Sequence, residues 1–543
     1  MSRPADPSGN GKTKQNTMFG GVAILAIGIA IVKVIGALFK IPLFNILGEE
    51  GATDFNSAYS IYSVLLTVST AGLPVALSKT VSEANTLGRY NQKQKVFRVA
   101  LAAFVAMGAA SFVVMWFGSG WLAGLMNNPH AAPGIRALAP AVVCVGCLSA
   151  FRGYAQGHMN MAPTSVSQIM EAVCKLFLGL GLAALVMSQP VSDFATGEQT
   201  SLAAAGAITG VTVGTMLALV YMGVNYLRTR RRTHQAGTDR PEGSSTIIRN
   251  LLRIAVPITL STSLVPIINL LDNAIVLGRL QDALNMSETA SRTLYGNYAV
   301  ALSLYNLPSS FMTAFTAAII PAVSAALVRR DRGGAARITG SVLRVTALLA
   351  LPMGVGLCVL SGPIMQMLYP KYDVAITGPL LAILAPTAVC VCLVLVSNSV
   401  LQAYGYVQLP IFTVLAGGAV KIVANYFLVA TPELNIYGAS MGMLLCYVVT
   451  LALNLFLLCR LCAVGSYVRV FARPLLASLL MGGAAWAVHG LLANALGNGV
   501  AVAVAICGAV AVYFVLILAL RAVSRDDVML MPKGEKIAKI LKF

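Results

Sequence analysis

The chain has 543 residues, of which 57% are hydrophobic and only 10% are charged, and its formal net charge is +19. A soluble domain carries about a quarter charged residues, so this composition excludes the water-soluble classes and indicates a polytopic membrane protein. The first apolar stretch is too long for the core of a secretory signal and has no small-residue cleavage site after it, so we expect it to remain as a spanning helix.

Apolar stretches of helix length follow one another along the chain and are separated by polar or Pro/Gly-rich breaks. They predict fourteen membrane-spanning helices, which place both termini on the same side of the membrane. The predicted ranges are 19–46, 57–84, 97–124, 134–157, 163–188, 201–227, 250–279, 294–327, 338–361, 376–404, 410–430, 437–459, 473–493 and 499–521.

Basic residues are distributed unequally between the two sides of this predicted topology. If the N-terminus is inside, the inner segments hold most of the 38 lysines and arginines, and the outer segments hold only Arg136, Arg279, Arg292 and Lys371. This asymmetry follows the positive-inside rule and predicts that both termini are cytoplasmic. It also accounts for most of the net charge, so we expect no role in nucleic-acid binding.

The two halves of the chain contain similar stretches, each with a glycine, then a proline, then a lysine within a span: Gly157, Pro163 and Lys175 in the first half, Gly405, Pro410 and Lys421 in the second. The repeat predicts two parallel six-helix lobes, an arrangement found in transporters with a site at the repeat interface. We therefore predict a cytoplasmic tail, an N-terminal lobe, a cytoplasmic linker, a C-terminal lobe, a final helix pair and a second cytoplasmic tail, at 1–18, 19–228, 229–248, 249–464, 465–522 and 523–543.

Two lysines, Lys33 and Lys40, lie inside the first predicted span. A charge at the bilayer centre costs about 3 kcal/mol on insertion scales, so intramembrane charges are rare and mark functional sites. A separation of seven residues is nearly two helical turns, so both lysines project from one face, about 10 Å apart.

Three further cations of the predicted N-terminal lobe each have a polar residue one helical turn away. They can be locally paired or snorkelling charges instead of a binding site, which suits those near the predicted cytoplasmic ends. The expected pairs are Lys79 with Glu83, Arg152 with Gln156, and Lys175 with Glu171.

Cations that lack nearby acids inside a membrane indicate a water-filled cavity that binds an anion. Lysine and arginine both suit phosphate, lysine as a point charge and arginine as a planar fork. We therefore predict that a phosphate-bearing headgroup is bound by Lys33, Lys40, Lys79, Arg152 and Lys175, supported by Glu83, Glu171 and Gln156.

The predicted C-terminal lobe contains one deep acid, Asp272, and one deep base, Lys421, with Asn425 one turn later. A buried carboxylate without a partner is costly, so either a bound cation or Lys421 should neutralise it, and we favour the lysine. We expect no metal and no cofactor, and coupling to an ion or to the membrane potential remains open.

Three stretches carry a family resemblance: KIPLFNILGEEGATDFNSAYSIY, STAGLPVALSKTVSEANTLGRY and FRGYAQGHMNMAPTSVSQIMEAVCK. They resemble the stage V sporulation protein B / YtgP branch of the polysaccharide-exporter group, within the multidrug/oligosaccharidyl-lipid/polysaccharide (MOP) exporter superfamily, over about 17–525. This branch includes YtgP- and MurJ-type flippases of lipid II, the undecaprenyl-pyrophosphate-linked peptidoglycan precursor.

The resemblance implies two V-shaped lobes around a central cavity that opens alternately inward and outward. It also implies that the last two helices form a groove for the polyprenyl tail. MurJ-type flippases have essential arginines in their first two spans, whereas this chain has Lys33, Lys40 and Lys79 in the comparable regions, which keeps the charge but changes the residue type.

From the residues and the resemblance we expect a non-enzymatic transporter of the bacterial cell membrane that serves peptidoglycan synthesis in vegetative growth or sporulation. It would be monomeric and would flip an undecaprenyl-pyrophosphate-linked precursor, most simply lipid II, from the inner to the outer leaflet by alternating access. Its partners would be this anionic lipid-linked substrate and the membrane lipids.

Three alternatives are kept beside this expectation. One is a flippase for another lipid-linked oligosaccharide or polysaccharide unit. A second is a cation-coupled multidrug exporter, which should line its first lobe with acids rather than lysines. A third is a glycan-polymerising enzyme, which would need catalytic acids, whereas Glu49, Glu50 and Asp54 are expected in a plain outer loop.

Overall fold

The computed structural model describes residues 9–190, 192, 194, 197–232, 239–462, 467–520 and 522, including most of the side chains in these ranges. The chain is 89% helical, and no strand occurs in the described part. The predicted all-α class is therefore confirmed. The predicted C-terminal tail, the first eight residues and the centre of the predicted linker lie outside the described residues.

Seventeen α-helices make up most of the described chain. Their bounds are α1 Gly9–Thr70, α2 Gly72–Thr86, α3 Tyr90–Phe117, α4 Ser119–Leu125, α5 Ala132–Gly157, α6 Ala162–Cys174, α7 Leu180–Met187, α8 Glu198–Arg232, α9 Ser244–Asp282, α10 Glu288–Val328, α11 Arg332–Val359, α12 Ser361–Leu368, α13 Val374–Ala403, α14 Leu409–Leu428, α15 Asn435–Cys462, α16 Tyr467–Leu496 and α17 Asn498–Ala519. A turn of π-helix, Lys175–Gly179, joins α6 to α7.

Helix α1 contains the first predicted span and the beginning of the second. Gly48 separates the two parts with φ 68° and ψ −172°, a conformation that glycine adopts without the steric penalty of a Cβ atom. Helix α1 begins at Gly9, so helical structure extends into the range predicted as the tail 1–18. The second predicted span is completed by α2, which starts after a break at Ala71.

Twelve helical stretches in the described residues are long and apolar enough to cross a membrane. The first of them, Gly28–Thr86, has 59 residues, which is enough for two crossings at 1.5 Å per residue. Helix α10 has 41 residues but some of its side chains lie outside the described ones, and it is not among the twelve. The helix count is therefore roughly consistent with the predicted fourteen.

The chain divides into two compact units, Met1–Ala274 and Ile275–Phe543. The division lies inside α9, not in the predicted linker 229–248, because the beginning of α9 packs on helices of the first unit. Ile247 and Leu251 are buried in a cluster with Leu77 of α2 and Phe97 of α3. Most of the seventh predicted span thus belongs to the first unit.

Within the first unit, α5 is the central helix and packs against α1, α2, α3 and α8. Within the second unit, α13 has the same role and packs against α10, α11 and α15. The predicted final pair, α16 and α17, pack against each other, and α16 also packs on α11. Gly482 of α16 lies against Val355 and Val359 of α11, where a larger side chain would meet both valines.

The segment just before α9 is attached to the beginning of α3. The carboxylate of Asp239 accepts hydrogen bonds from the backbone N–H groups of Asn91 and Gln92 at 2.9 and 2.8 Å. The backbone N–H of Glu242 donates to the side-chain oxygen of Gln92 at 2.7 Å. The first N–H groups of a helix have no partner inside it, so this part of the predicted linker serves as a cap for α3.

Candidate functional site

The last turns of α5 and of α6 bring Arg152 and Glu171 into contact. The guanidinium Nη2 donates to Glu171 Oε2 at 2.7 Å, and Nε donates to the hydroxyl of Ser167 at 2.9 Å. The hydroxyl of Ser167 in turn donates to the carbonyl of Thr164. The side chains of Arg152 and Glu171 are only 14% and 24% exposed, so this charge-assisted pair is largely shielded from solvent.

This pair corrects two expectations from the sequence. Glu171 pairs with Arg152 rather than with Lys175. The Arg152 side chain contacts residues of α6 rather than Gln156, which lies half-buried one turn later on α5. The reason is that α5 and α6 are consecutive helices joined by a short turn. Ser167 lies as far after the turn as Arg152 lies before it, and Glu171 is one helical turn beyond Ser167, so α6 presents both side chains to Arg152.

Lys175 lies among aromatic rings of α1. Its Nζ is 4.7 Å from the ring centroid of Phe39 and 5.1 Å from that of Tyr59, which is the geometry of a cation–π contact. Phe39 is fully buried, and Gly179, at the end of the π-helical turn, leaves room for its ring. Lys175 is therefore held by ring faces instead of by a carboxylate.

Lys33 and Lys40 lie on the same helix, as predicted, and Lys40 is near Lys175. Lys40 interacts electrostatically with both Lys175 and Lys33, all three of the same sign. Lys40 is half-buried, with its Nζ 6.0 Å from the ring centroid of Phe44, and Lys33 is exposed. We call Lys33, Lys40, Arg152 and Lys175 together with Glu171 the cationic site; all five belong to the first unit.

Two tyrosines that the sequence analysis did not select connect the parts of this site. Tyr59 lies within electrostatic range of Glu171 and Lys33, and Tyr62 within range of Glu171 and Arg152. Their rings are 5.5 Å apart. The sequence signal that could have identified them is the i, i+3 spacing of two hydroxyl-bearing rings on one helix, which places both on one face.

Lys79 and Glu83 form the predicted one-turn pair on α2, with 3.9 Å between Nζ and Oε1. Both side chains are 60% exposed, so the pair contributes little to stability. Within the described residues, no ion pair joins Lys79 to the cationic site. Its predicted role in headgroup binding remains a prediction.

Asp54 is buried inside α1, although the sequence suggested a plain outer loop. The amide of Asn128 donates to the Asp54 carboxylate at 3.0 Å and to the Ser57 hydroxyl at 3.3 Å. The Ser57 hydroxyl donates to Asn273 Oδ1 at 3.4 Å. This polar network belongs to the first unit and includes the neighbour of Asp272, which is itself buried.

Lys421 and Asn425 are both buried on α14 of the second unit. Asn425 packs where Gly442 of α15 leaves space for its side chain. Asp272 belongs to the first unit, so the predicted pairing of Asp272 with Lys421 stays a prediction. In the described part of the chain, no cluster of three or more His, Cys, Asp or Glu residues is arranged to hold a metal ion.

Comparison with known families gives two matches. The model of the polysaccharide biosynthesis protein family matches residues 19–327, and the MatE model matches residues 257–427. The fold resembles that of a lipid II flippase MurJ in an inward closed conformation, with a TM-score of 0.67, 12% identity, and coverage of 91% of this chain and 98% of that one.

Three relatives from Bacillus subtilis (strain 168) are similar in sequence. The chain is 26% identical to the uncharacterized membrane protein YabM over 97% of both chains. It is 24% identical to lipid II flippase MurJ, over 79% of this chain and 80% of the relative. It is 22% identical to stage V sporulation protein B, over 96% of this chain and 98% of the relative.

Proposed function

Because the chain belongs to the polysaccharide biosynthesis protein family and has the MOP exporter fold, we propose that it flips an undecaprenyl-pyrophosphate-linked cell-wall precursor from the inner to the outer leaflet. Lipid II is the substrate that we propose first. The family is of the transporter type rather than catalytic. The observation that carries the proposal is a group of four cations in the first unit, of which, among the described residues, only Arg152 is paired with a carboxylate.

The cationic site suits a diphosphate better than a neutral or cationic solute. Lys33, Lys40 and Lys175 supply point charges on two neighbouring helical segments, and Arg152 supplies a planar fork. A diphosphate spreads several negative charges over many acceptor oxygens, so it can contact several cations at once. We propose that these four residues bind the headgroup and that Lys79 contributes from a more exposed position.

A drug exporter for cationic compounds is disfavoured by the same residues. Lys40 is repelled by both Lys33 and Lys175, and a bound cation would add to this repulsion instead of relieving it. A flippase for another lipid-linked oligosaccharide is the second candidate, since its diphosphate would contact the same residues. We further propose a bacterial cell membrane location, cytoplasmic termini, a monomeric state and no cofactor.

The test is complementation of a bacterial strain depleted of its lipid II flippase. We expect the wild-type chain to restore growth and the Lys33→Ala, Lys40→Ala double variant to fail at equal membrane abundance. Lys371→Ala, which removes an exposed lysine outside the site, is the matched control and should restore growth. Failure of the wild type with confirmed membrane expression would overturn lipid II as the substrate and favour another lipid-linked glycan.

A further inference from the structure

One cation of the proposed headgroup site is already bound to an anion of the protein. The guanidinium of Arg152 contacts Glu171 at 2.7 Å and the Ser167 hydroxyl at 2.9 Å. Of the described residues, Glu171 is the one carboxylate in contact with a cation of the site. A phosphate group that binds the Nε and Nη2 edge of Arg152 must therefore replace the Glu171 carboxylate.

We propose that Glu171 is a specificity-determining residue that occupies Arg152 as an internal anion and thereby excludes singly charged phosphate headgroups in favour of a diphosphate. This inference rests on the proposed function, since it concerns the same site. It assigns to Glu171 a competitive role, whereas the sequence suggested only a supporting ion pair.

The charges of the two competing ligands determine the outcome of this exchange. A phosphodiester with one negative charge brings no more charge to Arg152 than the carboxylate that it displaces, so the exchange gains little. A diphosphate brings at least one further charge, which can contact the lysines while Arg152 is exchanged. Lys40 is repelled by both Lys33 and Lys175, so a second negative charge beside Lys40 would relieve that repulsion.

The membrane makes such selection necessary. Anionic phospholipids are abundant in the cytoplasmic leaflet and each carries a phosphodiester group. A site with four cations and no internal anion would attract these lipids, which outnumber any lipid-linked precursor. With Glu171 in place, the bulk lipid has to compete with an anion that is tethered to the site.

The surroundings of Glu171 hold its carboxylate near Arg152. Tyr59 and Tyr62 of α1 lie within electrostatic range of it, and Lys175 is one turn further along the chain. On the α8 side, Gly214 packs against the Glu171 backbone and presents no side chain of its own. No second acid from these elements is in contact with Arg152 among the described residues.

Binding of farnesyl diphosphate, a water-soluble prenyl diphosphate, tests the inference. The full chain is placed in nanodiscs of phosphatidylcholine alone and of phosphatidylcholine with an equal amount of phosphatidylglycerol, and the ratio of the two Kd values is measured. The negative surface of the second nanodisc weakens anion binding equally for all variants. We expect the ratio of Glu171→Gln to exceed that of the wild type by about tenfold, because the phospholipid then competes for Arg152.

Two variants complete the experiment. Glu433→Gln removes an exposed carboxylate of the second unit and should keep the wild-type ratio. The double variant Arg152→Gln, Glu171→Gln removes both members of the pair, leaves no charge stranded and protects the test against misfolding of the single variant. It lacks Arg152, the group for which the phospholipid competes, so its ratio should stay within about threefold of the wild type.

Each result supports or overturns a defined statement. A wild-type ratio in Glu171→Gln, or a rise of about tenfold in the double variant that lacks Arg152, would overturn this inference and leave the proposed function intact. Absence of farnesyl diphosphate binding by the wild type in phosphatidylcholine would overturn the proposed headgroup site and the inference with it.

Discussion

The four cations of the site differ in what surrounds them, and this difference gives each residue its own expected response to substitution. Lys33 is exposed, Lys40 is half-buried, Lys175 lies over two aromatic rings, and Arg152 is paired with a carboxylate. Removing a charge from a spanning helix eases insertion, so the lysine variants should still reach the membrane.

Lys33→Ala and Lys40→Ala should each lower the rate of lipid II flipping by about tenfold or more, because each removes a full charge that we propose contacts the headgroup. The measurement is flipping of fluorescent lipid II in proteoliposomes that contain equal amounts of protein. Lys371→Ala is the matched control. Wild-type rates for both variants at equal abundance would show that the lysines do not bind substrate.

Arg152→Lys should be milder than Arg152→Ala. A lysine keeps the charge but loses the fork that contacts both Ser167 and Glu171, whereas alanine strands a largely buried carboxylate. Breaking such a pair from one side costs about 3 kcal/mol, so Arg152→Ala should also lower the thermal denaturation midpoint. Equal and complete loss of flipping in both variants would indicate that the bidentate geometry, not the charge, is required.

At the level of the elements, α1 carries two lysines on one face. Cysteine labelling can test whether that face is exposed to water. Single cysteines at positions 33, 36 and 40, in a cysteine-free background, should react with a polar thiol reagent. Gly36 has open space around it, so a cysteine fits there. Positions 31 and 35 lie on the opposite face and should be protected. Uniform labelling of all five positions would contradict a cavity on one side.

The contact between the linker and α3 depends on the ionised carboxylate of Asp239. Desolvation tends to raise the pKa of Asp239, but hydrogen bonds from the N–H groups of Asn91 and Gln92, together with nearby Arg89, outweigh it and lower this pKa below its usual value. A carboxyl with a lowered pKa in the folded state stabilises the fold at neutral pH, and that contribution is lost as the pH falls from the unfolded-state pKa through the lower folded-state one.

Asp239→Asn should therefore lower the thermal denaturation midpoint at pH 7, and the difference from the wild type should shrink as the pH falls below about 4, near the pKa of an unfolded aspartate. Thermal melts of the purified protein across this pH range measure it. Asp282→Asn, at an exposed position at the end of α9, is the matched control. A difference that stays constant with pH would contradict an ionic role for Asp239.

At the level of the whole molecule, each buried charge needs a counter-charge. In the first unit, Arg152 and Glu171 neutralise each other. Asp272 and Lys421 are both buried, one in each unit, and their pairing remains a prediction from the sequence. If they neutralise each other, the transporter needs no bound cation at this position.

Asp272→Asn should abolish most lipid II flipping because it leaves the Lys421 charge without its proposed counter-ion, and adding Lys421→Gln should recover part of the loss. Flipping by the wild type should not depend on sodium. The measurement uses proteoliposomes at fixed membrane potential, with sodium or with a bulky organic cation in its place. Sodium-dependent flipping together with no recovery in the double variant would identify Asp272 as an ion ligand instead.

The amino-acid sequence by itself determined the membrane class, the helical architecture and the common face of Lys33 and Lys40. These properties depend on composition and on local periodicity, and both are properties of a single stretch of chain. The position of Gly48 as a break within α1 is also local, since it depends on the lack of a Cβ atom.

Only the tertiary structure decided which groups are partners. In the folded chain Glu171 pairs with Arg152, and Lys175 contacts the rings of Phe39 and Tyr59. Asp54 is buried inside α1. Spacing along one helix offers several partners at similar distance, and the choice between them depends on the neighbouring helix that packs against it. That packing brings together residues that are far apart in the sequence, so no local pattern encodes it.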